Sequence, residues 1–334
     1  MLPRALIQIP IQSSLLGMQK SVLIDTDPGV DDALALLLAL SCQDLQVKAI
    51  TTVCGNVPVE KATTNLLRVL ELLPGPYPVL AQGAEQPLER EPFFSGHVHG
   101  TDGLGAVGAE QGQTASIPES LSKDTAAEEI LRQTWNSSEP LTLISLGPLT
   151  NIALALNQDP DLANRIQELI LMGGAYTVPG NITPAAEFNI YVDPEAADLV
   201  FRSGMPITAV GLDVTRQVRL SRESLQAWVQ AQNTPLRRSI QDWSRHGLEF
   251  MQDLTGEASM PLHDPLAVLA CMRPELLGTE PMHVQVETRG QHTRGMTLPD
   301  LRPVLEKWKP EPNLRVCTRV DREKALQLFL ETLA

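Results

Sequence analysis

Long basic runs are missing from this 334-residue chain, in which 26 Lys and Arg stand against 40 Asp and Glu for a net charge of −14. Nucleic-acid backbones are held by clustered cations that displace counterions, so a nucleic-acid partner is not expected. Nor is there an apolar stretch near the roughly 20 residues that a bilayer-spanning helix needs, and no membrane partner is expected either. The four cysteines, Cys42, Cys54, Cys271 and Cys317, make no Cys-x-x-Cys pair. A chain of this length buries enough apolar surface to fold without a disulfide framework, so reduced thiols in a cytoplasmic setting are the default expectation. The first twenty residues hold Arg4 and Lys20 and no acid, a faint likeness to an organelle transit peptide. Pro3 and Pro10, with Gln8 and Gln12, interrupt the apolar core of a secretory signal. Residues 1–20 are expected to be a flexible extension, and 21–334 a single domain.

Short β-branched runs alternate with helical stretches along that domain. The runs 21–25, 47–53, 78–81, 141–146, 168–172 and 206–210 are continuously apolar rather than alternating, the pattern of strands buried on both faces. Between them, 31–40, 59–73, 125–135, 150–157 and 194–202 fit crossover helices, several opening on Asp, Asn or Pro. This order predicts an α/β fold, with a doubly wound, mainly parallel central sheet flanked by helices. Further helices are expected at 221–232, 235–253 and 321–333, and a late strand at 281–287.

Four carboxylates crowd into eight residues where the first strand gives way to the first helix, in Asp25-Thr-Asp27-Pro-Gly29-Val-Asp31-Asp32. Like charges at one strand end raise each other's proton affinity, and a fold keeps them together only if something positive sits among them. Acids at a helix N-terminus are favoured by its dipole, but two would suffice for that, and the Pro-Gly turn would be unexplained. Hard oxygen donors with no Cys or His beside them point to Ca²⁺ or Mg²⁺ rather than Zn²⁺.

Ligands of such sheets bind beyond the carboxyl ends of the strands. Five expected strand ends converge there, followed by the Asp cluster, by Cys54-Gly55-Asn56, by Gly147-Pro148-Leu149-Thr150-Asn151, by Gly173-Gly174 and by Gly211-Leu212-Asp213. Further along stand Gly180-Asn-Ile-Thr-Pro-Ala-Ala-Glu-Phe-Asn189, Asp193-Pro-Glu-Ala-Ala197 and His263-Asp-Pro265, with His99-Gly100 in an earlier loop. On its own the His263-Asp264 pair reads as well as a buried structural pair or a cap for a helix starting at Pro265.

Taken in order, these stretches resemble the nucleoside hydrolases of the inosine–uridine-preferring kind, from about residue 21 to near the C-terminus. The resemblance implies a single catalytic domain that cleaves the N-glycosidic bond of ribonucleosides to free base and ribose. It also implies one bound Ca²⁺ per subunit and a homodimer or homotetramer. By the same resemblance, Asp27, Asp32, Asp264 and the backbone carbonyl of Leu146 are the metal ligands, and Asp27 is the general base that activates water. Asp31, Asn56, His99, Met172, Asn181, Glu187 and Asn189 fall on substrate-binding positions, and His263 is the first choice for the acid that protonates the leaving base. Asp25 is expected to orient the loop from behind. Such chemistry passes through an oxocarbenium-like state, which calls for a nucleophilic water below the ribose and a protonated base above it.

The leaving-group side departs from the pattern. Purine-active members close a tyrosine-bearing helix over the base, whereas 242–251 here contains no tyrosine. Trp243, His246 and Phe250 are the substitutes on offer, although aromatics at helical spacing are commonly core. Two other classes share some of these features: a nucleoside- or ribose-binding protein without turnover, and a haloacid-dehalogenase-type phosphatase built on Asp25-x-Asp27. The phosphatase scheme leaves 181–189 and His263-Asp264 without roles.

Overall fold

The computed structural model describes residues 19–96, 100–105 and 121–334. Six parallel strands arise where the continuous apolar runs predict them: β1 (Lys20–Thr26), β2 (Leu45–Thr52), β3 (Val79–Gln82), β4 (Leu141–Ser145), β5 (Ile166–Met172) and β6 (Ile207–Val210). Between and after them lie α1 (Val30–Ser41), α2 (Val59–Leu70), α3 (Ala126–Asn136), α4 (Thr150–Gln158), α5 (Leu162–Arg165), α6 (Phe188–Val192), α7 (Pro194–Phe201) and the one-turn α8 (Leu212–Thr215). The chain continues through β7 (Arg219–Ser221), α9 (Arg222–Ala231), α10 (Pro235–Thr255), β8 (Ser259–Pro261), α11 (His263–Met272), β9 (Leu277–Met282), β10 (Val284–Val286), β11 (Thr297–Pro299), β12 (Leu314–Val320) and α12 (Arg322–Thr332). None of the helices among the described residues is long and apolar enough to cross a membrane.

The central sheet runs β3-β2-β1-β4-β5-β6-β12-β9, with β9 alone antiparallel, against β12. Strand order reverses between β1 and β4, and a crevice opens at such a point beyond the carboxyl ends. Helices cover both faces over two apolar clusters. The expected strand at 281–287 is a correction: a break at His283 divides it into β9, on the edge of the main sheet, and β10, in a separate two-stranded ribbon with β11. β12, which no expectation covered, lies inside the sheet beside β6. Exposed Arg315 and Arg319 interrupt its apolar run on either side of buried Val316 and Cys317, which hides it from an apolar-run reading.

Two helices matter most for the site. In α1, Val30 to Ala39 are all buried, and α11 is buried from Asp264 to Met272. Helices apolar all round belong in a core, and these two pack on each other. Their N-termini, bearing Asp31 and Asp32 on one and His263 and Asp264 on the other, therefore meet at the rim. The four cysteines are buried and unbridged.

Candidate active site

The loop after β1 is held by its own carboxylates. Asp32, at the third position of α1, reaches back to the amide of Gly29 at 3.0 Å and accepts from Asn56 Nδ2 at 3.1 Å. Its other oxygen takes Thr26 Oγ1 at 2.6 Å and the Asp27 amide at 3.2 Å. Asp25 turns away behind the loop, where Oδ1 accepts from Thr51 Oγ1 at 2.5 Å and Asn151 Nδ2 at 2.8 Å. Asp31 caps the other helix: Oδ2 accepts the amides of His263 at 2.8 Å and Asp264 at 3.0 Å. The sequence-expected Asp cluster and the His263-Asp264 motif are thus one assembly.

The electrostatics are those of acids out of water and close to each other. Asp27 and Asp32 are fully buried and Asp31 and Asp264 nearly so. Burial pushes Asp31 up to about 8, with the charge of Asp32 adding to it. Burial and neighbouring carboxylates raise Asp27 and Asp264 well above the ordinary range. Asp27 Oδ1 and Asp31 Oδ1 are buried with no hydrogen-bond partner, an arrangement that costs free energy unless a proton or cation answers it. No group of three or more His, Cys, Asp or Glu among the described residues stands in finished metal-binding geometry. The donor chemistry nevertheless fits a hard cation: carboxylate oxygens, two of them unanswered, at converging helix N-termini. Asp27 is enclosed by Gly55 and Gly147, where an added Cβ would lie 2.1 and 2.6 Å from its carboxylate oxygens. Only glycine leaves room for the acid there.

Above this floor lies a cavity of about 580 Å³ lined by Asp31, Asn56, Leu146, Met172, Asn181, Glu187, Asn189, His263 and Asp264, together with the apolar and basic groups described next. Every sequence-expected substrate residue within the described part of the chain lines it; His99 lies outside the described residues. Asn189 Nδ2 holds the carbonyls of Leu146 at 2.7 Å and Met172 at 3.0 Å. Glu187 caps α6 and accepts the Gly174 and Asn189 amides, each at 3.0 Å. Asn56 is fixed by Ser95 Oγ at 2.6 Å. Nδ1 of His263 pairs with Thr215 Oγ1 at 2.7 Å, which sets the turn of the ring.

The far wall is apolar. Phe250, Met251 and Leu254 of α10, Met260 of β8, Ile182 and Phe188 form it, with Arg216 and Arg219 alongside. Of the three substitutes considered for the absent tyrosines, Phe250 lines the cavity, while Trp243 belongs to the core and His246 does not reach the lining. Sequence reading missed Arg216, Arg219, Thr215, Ser95 and Phe188, because nothing about a lone Arg or Thr near α8 announces what the sheet brings beside it.

A doubly wound sheet whose switch point carries buried acids and an amide-lined cavity defines an α/β enzyme for a small, hydroxyl-rich substrate. Comparison with known proteins narrows this. The family model described as inosine-uridine preferring nucleoside hydrolase matches residues 22–327. The chain is 40% identical over 313 residues to the pyrimidine-specific ribonucleoside hydrolase RihA of Salmonella enteritidis PT4, covering 93% of this chain and 97% of that one. It superposes on the plant nucleoside hydrolase PpNRh1 with a TM-score of 0.85 at 33% identity, over 94% of this chain and 98% of that one. The purine-preferring ribonucleoside hydrolase of Gardnerella vaginalis gives the same TM-score of 0.85 at 32% identity, again over 94% and 98%. The chain belongs to the inosine-uridine preferring nucleoside hydrolase family, and it is an N-ribosyl hydrolase.

Proposed function

We propose that this protein hydrolyses pyrimidine ribonucleosides to free base and ribose in a Ca²⁺-dependent reaction, with Asp27 as general base. The observation that carries the reading is the buried assembly of Asp27, Asp31, Asp32 and Asp264 beneath a cavity rimmed by amides and a carboxylate. Asp27, Asp32, Asp264 and the Leu146 carbonyl would hold the Ca²⁺, which when bound supplies the charge that lets these acids ionise together and orients water and ribose hydroxyls. Asp27 takes the proton of the attacking water at Oδ1, the oxygen that no protein group occupies.

Asn56, Asn181, Glu187 and Asn189 offer donors and acceptors to ribose hydroxyls, and a sugar lacking one would leave a buried group unpaired, which favours ribose over deoxyribose. His263 delivers a proton to the departing base, its ring held by Thr215. Pyrimidine preference is supported by the RihA relative and by an apolar wall without tyrosine. A cytoplasmic homodimer or homotetramer completes the proposal.

The test is release of free base from uridine, cytidine, inosine, guanosine and nicotinamide riboside in Ca²⁺ and again after chelation. Metal-dependent cleavage led by uridine or cytidine is expected. Equal turnover after complete chelation, or cleavage of purine nucleosides alone, would overturn the corresponding part.

A further inference from the structure

Arg216 sits directly after α8, and its guanidinium divides between two neighbouring carbonyls: Nη1 donates to Pro179 at 2.9 Å and Nη2 to Gly180 at 2.7 Å. The next residue, Asn181, lines the cavity and accepts the Phe188 amide at 3.0 Å. Between these points the loop is stapled to itself. The Gly180 amide donates to Pro184 and the Asn181 amide to Ala186, each at 3.1 Å, and Thr183 Oγ1 accepts the Ala186 amide at 2.9 Å. A Cβ on Gly180 would lie 2.1 Å from the Ala186 carbonyl. A loop this tight moves as one piece, so its position is set where it is anchored.

The anchors share one base. Asp213, in α8, accepts the amides of Tyr176 at 2.9 Å and Thr177 at 2.8 Å, and Thr215 of the same turn holds His263. Asp213 and Glu187 support the charge of Arg216 against the burial that opposes it. A guanidinium with both terminal nitrogens on backbone carbonyls is set to fix a loop rather than to capture an anionic substrate group.

We propose that Arg216 is a positioning residue that places Asn181 against the sugar, an inference that rests on the nucleoside-hydrolase reading of the cavity. It acts through Asn181 and does not itself carry the reaction. Misplacing a substrate contact by about 1 Å is enough to cost on the order of 10²-fold in rate.

A double-mutant cycle tests this. Wild type, Arg216→Met, Asn181→Ala and the double variant are compared in kcat/KM for uridine and in affinity for free ribose, with the melting temperature of each recorded. Each single change is expected to lower kcat/KM by about 10–100-fold, the range for residues that orient a direct contact. The double variant should be no worse than the weaker single, with ribose affinity falling in parallel and Arg216→Lys intermediate.

Losses that multiply in the double variant would overturn the proposal, because Arg216 would then act independently of Asn181. Wild-type behaviour of Arg216→Met in both assays would overturn it too. Should Arg216→Met fail to fold, Arg216→Lys enters the same cycle under the same criterion. A wild type that binds ribose but cleaves no nucleoside overturns the functional reading alone, since the ribose cycle still decides the role of Arg216; one that neither binds nor cleaves overturns both.

Discussion

The main-chain amide of Asn56 donates to Asp27 Oδ2 at 2.6 Å, and that bond occupies one of the two carboxylate oxygens. Oδ1, buried and unpartnered, is the one left. Asp27→Asn keeps the shape and still offers Asn56 an acceptor, yet it cannot take a proton. Turnover is expected to fall by about 10²–10⁴-fold, the contribution of a positioned general base. Circular dichroism and melting should show a folded protein; a variant with wild-type kcat would remove Asp27 from its proposed role.

Without a divalent cation, stability should fall as pH rises. Burial pushes Asp25 up to about 7 and Asp31 up to about 8 in the folded protein, against about 3.9 in an unfolded chain. Between these limits the folded state binds more protons than the unfolded one, so its stability is greatest at the acid end and is lost as pH climbs through the folded values. The melting temperature in chelator should drop from about pH 5 to about pH 8, and it should flatten in excess Ca²⁺ if the ion replaces those protons as proposed. At neutral pH, Ca²⁺ at 100 times its Kd should stabilise by about 2.7 kcal/mol. A chelated protein that grows more stable over this window would contradict the assignment.

Gly55→Ala isolates the steric demand of Asp27, the proposed base. Its backbone is not in the left-handed region, so the cost is steric: the added methyl would lie 2.1 Å from Asp27 Oδ2 and 2.8 Å from both Asp27 Cγ and Pro148 Cδ. Overpacking of this kind costs about 1–3 kcal/mol in stability. The activity loss should be larger than that destabilisation implies and should appear in kcat. Unchanged kcat in the folded variant would mean that Asp27 tolerates displacement.

Gly247 is a glycine in the middle of α10 that lines the cavity, and a Cβ there would meet Met260 Sδ at 3.6 Å, an ordinary contact. Gly247→Ala should raise stability by about 0.5–1 kcal/mol through the helix backbone alone. A methyl narrowing the base side should raise KM for larger bases more than for uridine. A panel in which every KM stays fixed would show that the base lies elsewhere.

Much of the architecture was legible in the chain. The six continuous apolar runs could hardly be other than strands buried on both faces, and the Asp cluster falls where β1 ends because the local pattern changes from strand to helix there. Local chemistry also raised the expectation of a cation at the cluster before any fold was known. The strand at 281–287 failed because His283 breaks the ladder, and β12 was invisible because its exposed Arg315 and Arg319 mask a central position.

The alternation of elements, the clustered carboxylates and the family-ordered motifs can be read from the chain alone, because all are local properties of short stretches. Folding alone makes Asp31 cap a helix beginning 232 residues further on, sends Trp243 to the core while Phe250 lines the cavity, and brings Arg216 onto the Gly180 carbonyl beside Asn181. Those relationships follow from strand order in the sheet and from the packing of α1 on α11, and such long-range contacts leave no period or spacing in the chain to be read.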